Sequence, residues 1–120
     1  MIAGIGTDLV EIGRVEEMLQ RGSRLTRIFT TTELACAKDN AATLAGNFAV
    51  KEAVSKVFGT GFFGVEPYEI EVLRNESGAP YVKLYGKAKE IAKDKQVSRI
   101  HVSITNTREF AQAFAIGECV

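Results

Sequence analysis

The sequence predicts a single α+β domain spanning residues 1–120, with a mainly antiparallel sheet packed with a long central helix. Two observations carry this expectation. Short runs of alternating hydrophobic and polar residues recur at the start, middle and end of the chain, and one long helical run lies between them. The resulting order, β-α-α-α-β-β-α-β-β, belongs to the α+β class. A chain of 120 residues with 46% hydrophobic and 25% charged side chains has room for one core and too little for two.

Each element has its own signal. Residues 2–11 alternate, with Ile5, Thr7 and Leu9 on one face and Gly4, Gly6, Asp8 and Val10 on the other, which predicts a strand. Helices are expected over 13–21 and over 31–38, the second capped by Thr31 or Thr32. Residues 41–58 read as the long helix, stopped by Gly59-Thr60-Gly61, since glycine suits the left-handed cap position. Residues 68–74 and 81–85 alternate as strands around a turn at 75–80. Residues 86–96 form an amphipathic helix with Ala88, Ile91 and Ala92 inward. Residues 98–105 and 110–116 are strands of a hairpin joined by 106–109.

Composition excludes several functions. Fifteen basic residues balance fifteen acidic ones, so the basic surface that general nucleic-acid binding needs is missing. No run of 18 apolar residues could span a membrane, and the first residues lack the basic start of a signal peptide. Cys36, Cys119 and the single histidine, His101, do not make a structural zinc site. Two unpaired cysteines suit a reducing, cytoplasmic setting. The balance hides local asymmetry. Residues 66–76 carry four glutamates against Arg74, and residues 83–99 carry five lysines and Arg99 against Glu90 and Asp94; both read as solvated faces. Residues 14–28 carry Arg14, Arg21, Arg24 and Arg27 against Glu16 and Glu17. Leu25, Ile28 and Phe29 accompany them, a mixture suited to docking an acidic helix of a partner protein.

Two carboxylates stand out. Asp8 lies among Ile, Gly, Thr, Leu and Val, where a lone charge is expensive unless paired or bound to a cation. At 100° per residue, Glu52 and Lys56 fall in the middle of an alanine-rich stripe with Ala41, Ala45, Ala49 and Ala53, not on a polar face. Small alanines leave room above the stripe for another backbone or a ligand. Oxygen ligands from two elements, without a Cys/His cluster, suit Mg²⁺ completed by water and substrate phosphates. Lys56, one turn beyond Glu52, adds positive charge for a phosphate oxygen. Neither a P-loop nor a dinucleotide-binding glycine motif is present. His101 reads as a structural histidine in a strand. Ser55 and Ser103 have no histidine–aspartate partners for a triad, and neither cysteine carries a sign of activation.

Taken together, these motifs resemble the small holo-acyl-carrier-protein synthases, a 4′-phosphopantetheinyl transferase family. Gly4-Ile5-Gly6-Thr7-Asp8 is similar to their GIGxD motif, and residues 48–56 with Gly59-Thr60-Gly61 to their FAxKEAxxKxxGTG helix. Gly78-Ala79-Pro80 and His101-Val102-Ser103-Ile104-Thr105 resemble their later GxP and VSIS/T segments. The resemblance covers nearly the whole chain. It implies the fold of that family and Mg²⁺-dependent transfer of the 4′-phosphopantetheine arm of coenzyme A to a serine of apo acyl-carrier protein. Adenosine 3′,5′-bisphosphate would be released, in the service of fatty acid biosynthesis. By motif position, Asp8 and Glu52 would hold Mg²⁺, and Lys56 would contact the reacting phosphate. Gly59, Thr60 and Gly61 would lie near the coenzyme, while Arg14, Met18, Arg21, Arg24, Ile28 and Phe29 would dock the carrier. The serine's base is left open between Glu52, Asp8 and a metal-bound water. The resemblance also implies a homotrimer with sites built between neighbours.

Two departures matter. Asn47 stands where the family usually has arginine, and Asn106 where it usually has histidine, both at coenzyme-serving positions. Asparagine donates hydrogen bonds but brings no charge, so weaker coenzyme A binding than in typical members is expected. The departures also raise a second reading, a catalytically weakened or silent module that binds coenzyme A or the carrier. A nucleotide-binding regulatory domain is a third, without a specific motif.

Overall fold

The computed structural model describes residues 1–22, 24–62 and 64–120. Among these the chain begins with strand β1 (Ile2–Glu11) and helices α1 (Ile12–Arg21), α2 (Leu25–Ile28), α3 (Thr31–Ala37) and α4 (Ala41–Phe58). Strands β2 (Ile70–Arg74) and β3 (Pro80–Leu84), helix α5 (Gly86–Asp94) and strands β4 (Arg99–Asn106) and β5 (Phe110–Glu118) complete it. The class is α+β and all strand pairing is antiparallel, as the sequence predicts. The strands form two sheets: β1-β5-β4, and the separate hairpin β2-β3.

The differences from expectation are local and physical. The cap of α3 is Thr30, not Thr31 or Thr32. Its hydroxyl accepts from the Glu33 amide while the Glu33 carboxylate accepts from the Thr30 amide, a reciprocal box that leaves the helix starting at Thr31 as expected and places the cap just before it. Strand β2 begins at Ile70 because Pro67, which cannot donate to a ladder, opens a 3₁₀ turn over Pro67–Glu69. Helix α5 stops at Asp94 because Gln96 takes a left-handed φ of 60°, outside helical space. Helix α2 is only four residues long, too short for periodicity to reveal.

Helix α4 sets the plan of the molecule. Asn40 caps it by accepting from the Thr43 amide, and Gly59 ends it at a φ of 75°. It is buried on nearly every side, with Leu44, Ala45, Ala49, Val50, Ala53, Val54 and Phe58 all in the core. Beneath it lies the three-stranded sheet, whose inward β5 residues are Ala111, Ala113 and Ala115. Alanine facing alanine draws helix and strand close. Strand β1 comes closer still: a side chain at Gly6 would overlap the Ala53 carbonyl, and one at Gly4 would lie 2.6 Å from the Val57 carbonyl oxygen. Those two glycines let the strand rest directly on helix backbone.

The opposite face of the sheet is uncovered. Ile5, Leu9, Phe114 and Ile116 are 68%, 59%, 56% and 39% exposed there. Ile5 pairs with Ile116 and Thr7 with Phe114 across β1 and β5, so the apolar residues form one continuous patch. A patch of this kind marks an interaction surface. No helix is long and apolar enough to cross a membrane among the described residues.

Candidate active site

Asp8 shares its strand face with Gly4 and Gly6, so the contact those glycines permit carries its carboxylate to α4. Lys56 donates from Nζ to the Thr7 carbonyl oxygen at 2.7 Å and stands 3.6 Å from Asp8 Oδ1. It therefore bridges to β1 instead of pairing along its own helix with Glu52. Burial raises the Glu52 carboxyl above the usual carboxylate range, and the negative charge of Asp8 raises it further. Lys56 and Arg14, from the first turns of α1, pull it back. Asp8, Glu52, Lys56 and Arg14 thus share one electrostatic site, drawn from β1, α4 and α1.

The helical wheel needs one correction. It places Glu52 and Lys56 in the middle of the alanine stripe. In the fold Ala45, Ala49 and Ala53 are fully buried, while Glu52 is half-buried and Lys56 has half of its side chain exposed. A helix buried on nearly all sides has no single apolar stripe; the charged pair marks its open flank.

The donor chemistry fits a hard cation. Two carboxylates whose mutual repulsion raises one of them are eased by a divalent ion, and both are oxygen donors. Among the described residues no group of three or more His, Cys, Asp and Glu side chains comes together, so the pair leaves most of a metal's coordination to water and substrate.

A second constellation lies on the other flank of α4. Asn106 at the end of β4, Gly78 and Pro80 at the start of β3, and Thr43 and Gly46 on α4 line an open cavity of about 410 Å³, with Arg74 from β2. The GxP segment and the last strand segment, far apart in sequence, thereby meet. An adjoining cavity of about 200 Å³ is lined by Asn47, Thr43, Arg74, Cys36 and Tyr81. Asn47 is 3% exposed, and its Oδ1 has no hydrogen-bond partner. Gly59 forms the helix cap, and the Thr60 hydroxyl donates to the Gly61 carbonyl.

Of the residues expected to dock a carrier, Arg14, Met18, Arg21 and Arg24 line a concavity of about 350 Å³ with Glu17. Ser23, inside that basic run, lies outside the described residues. Phe29 is a correction: at 1% exposure it is a core residue, its ring 5.7 Å below the Lys51 ammonium, and Ile28 leans against the same core. The apolar component of the run holds α2 down, and the arginines face outward.

Sequence reasoning missed the buried charges. Lys51 and Glu33 are fully buried and paired at 2.8 Å. Their signal was visible only as a lysine and a glutamate inside helical runs, which is ordinary on a solvated face. His101 forms an exposed pair with Glu118 at 2.9 Å.

Comparison with known proteins then decides the family. A family model described as the 4′-phosphopantetheinyl transferase superfamily matches residues 4–116. The chain belongs to that family. It is a transferase. A holo-[acyl-carrier-protein] synthase of Lachnoclostridium phytofermentans is 53% identical over 120 residues, covering 100% of this chain and 98% of the relative. Another from Clostridium beijerinckii is 44% identical over 124 residues and covers both chains completely. Among solved structures, a Bacillus anthracis holo-(acyl-carrier-protein) synthase in complex with coenzyme A (3′,5′-ADP) superposes with a TM-score of 0.82 at 34% identity, covering 100% of this chain and 99% of that one. The Helicobacter pylori synthase in complex with coenzyme A gives a TM-score of 0.85 at 29% identity, with 95% and 99% covered.

Proposed function

We propose that this chain, acting as one domain over residues 1–120, transfers the 4′-phosphopantetheine arm of coenzyme A to a serine hydroxyl of apo acyl-carrier protein. The observation that carries this reading is the convergence of Asp8, Glu52 and Lys56 where β1 rests on α4. The serine oxygen bonds to the phosphorus that bears pantetheine. The bond from that phosphorus to the nucleotide oxygen breaks, adenosine 3′,5′-bisphosphate leaves, and the serine proton passes to a base. Asp8 and Glu52 would hold Mg²⁺, which supplies charge neutralisation at the pyrophosphate. Lys56, fixed by the Thr7 carbonyl, presents a positive charge to a phosphate oxygen, and Arg14 adds to the field. Burial and the charge of Asp8 raise the proton affinity of Glu52, which favours it as a base when free and not when it holds a cation. The outward arginines of α1 receive an acidic carrier helix, and the reading places the enzyme with its soluble substrates in the cytoplasm.

Assembly belongs to the same reading. Register places Ile104 two strands across from Asp8, through Ala113, with α4 lying over the sheet between them. Asn47 stands about 140° around the helix from Glu52. The carboxylate site and the Asn47–Asn106 cavities thus lie on opposite flanks of a rod about 10 Å thick. One copy's carboxylate flank meeting the next copy's cavity flank is a head-to-tail contact, which forms a ring when its rotation closes. The uncovered Ile5–Leu9–Phe114–Ile116 patch supports a homotrimer of this kind. Sedimentation is expected to show a trimer for the native chain and monomers for Phe114→Glu, with transfer lost in the monomer. A fully active native monomer would refute the assembly.

The decisive assay incubates the protein with apo carrier, coenzyme A and Mg²⁺ and weighs the carrier. A mass gain equal to one phosphopantetheine supports transfer; binding of coenzyme A without mass gain favours the silent-module reading, which the two asparagines motivate.

A further inference from the structure

Among the described residues Arg74 has no ion-pair partner. It ends β2 opposite Pro80 and is half-buried. Among the described residues no carboxylate lies within ion-pair distance of its guanidinium, although four glutamates share its stretch of chain. Three carboxylates of the neighbouring elements are already engaged. Glu33 is held by Lys51 and two backbone amides, Glu71 by the hydroxyls of Thr30 and Tyr85, and Glu69 by the amides of Glu66 and Lys87. Burial lowers the guanidinium's proton affinity, with only the field of Glu33 opposing that shift. A half-buried cation with five donors and no acceptor bears a desolvation cost that a bound anion would relieve.

Its surroundings form a receptacle. Arg74 lines both cavities on this flank of α4, with Gly46 beside it, where a side chain would press to 3.2 Å on Ile104 Cγ2. Asn47, only 3% exposed, lines the smaller cavity with an unsatisfied Oδ1. An unpartnered donor set and an unpartnered acceptor therefore line one space without meeting each other. A ligand that satisfies both carries an anionic oxygen beside a hydroxyl or amide donor. Coenzyme A offers this twice, at the ribose 3′-phosphate beside its hydroxyl and at the pyrophosphate beside the pantetheine arm.

We propose that Arg74 is the phosphate anchor of this flank, its guanidinium binding a phosphate oxygen of coenzyme A while Asn47 accepts from the adjoining donor. The inference rests on the transferase reading and adds a residue to it. It also returns to the cavity, from β2, a positive charge that Asn47 and Asn106 do not bring. Guanidinium suits the role because its fork can take two phosphate oxygens at once.

The test titrates native protein, Arg74→Gln and Arg74→Lys with coenzyme A and with dephospho-coenzyme A by calorimetry. Arg74→Gln is expected to lose on the order of tenfold to a hundredfold in affinity for coenzyme A, with Arg74→Lys between it and the native chain. Melting temperature should hold or rise, because among the described residues Arg74 has no ion-pair partner to lose and Gln bears no charge to desolvate. In turnover, the KM for coenzyme A should rise while that for the carrier stays unchanged. A loss confined to coenzyme A places the anchor at the 3′-phosphate, and an equal loss with both ligands places it at the pyrophosphate; either supports the proposal. Native affinity for coenzyme A in Arg74→Gln overturns the anchor and leaves the transferase reading standing. Failure of the native chain to bind either ligand overturns both.

Discussion

Glu52→Gln is expected to abolish phosphopantetheine transfer while raising the melting temperature. The carboxyl of Glu52 is held above its usual range first by burial and then by the charge of Asp8. A folded-state proton affinity above the unfolded one means that ionised Glu52 disfavours the native state. Its contribution to stability is present below the unfolded carboxyl range and is lost as pH rises through the folded value. Glutamine is neutral at every pH and removes that loss, so the variant should gain stability near neutral pH and show a flatter stability profile above the carboxylate range. The cost falls on chemistry. With one carboxylate gone, the pair no longer holds a divalent ion, and charge neutralisation worth several kcal/mol disappears, roughly a thousandfold in rate. Thermal melts with and without Mg²⁺ separate these effects: the ion should stabilise the native chain and leave Glu52→Gln unmoved. Full transfer by the variant, or equal stabilisation of both proteins by Mg²⁺, would sink the assignment.

Lys51→Met should have the largest effect on stability. The ammonium donates to Glu33 Oε1 at 2.8 Å and to the carbonyl oxygens of Pro67 and Ile70 at 3.1 and 2.6 Å, with the ring of Phe29 below. It ties α4 to α3 and to the entry of β2. Replacing it leaves the fully buried Glu33 charge without its cation, and such losses cost about 3–5 kcal/mol. For a domain of this size that lowers the melting temperature by roughly 10–20 °C. Burial holds the Lys51 ammonium below the ordinary lysine range, against the pull of Glu33. The unfolded lysine therefore binds its proton more tightly, and native stability should rise with pH between the folded value and the ordinary one. The gap between native chain and variant should widen across that window. The double variant Lys51→Met/Glu33→Gln should cost less than the two single losses added together, because the partners share one interaction. Strict additivity would show that they act independently.

Much of the candidate site was legible because its chemistry conflicts with its surroundings. An aspartate in an apolar strand and a glutamate among alanines are expensive placements, and each reads as a signal in one dimension. The long helix was legible to the residue at both ends: Gly59 was read as its stop, and Asn40 proves to be the cap that starts it. Elsewhere the same kind of reading failed for stated reasons. Phe29 was assigned to a surface because arginines surround it in sequence, yet an aromatic ring beside arginines packs inward as readily as outward. Lys51 and Glu33 were passed over because lysine and glutamate usually face water. Arg74 was counted as one charge against four, and only the fold shows that Glu69 and Glu71 are held by other groups.

By itself the sequence pointed to the class of fold, to the order of its elements apart from the short α2, and to the two carboxylates proposed to act in catalysis. Those follow from local periodicity, capping and the cost of burying charge, all properties of neighbouring residues. The tertiary structure decided which groups share a site. Gly4 and Gly6 bring Asp8 onto α4, where Lys56 meets β1 and not Glu52. The strand register sends Asn106 and Gly78 to the opposite flank of the same helix, beside Arg74. That division arises because a helix about 10 Å thick separates the two flanks. It is a three-dimensional distance that no spacing along the chain encodes.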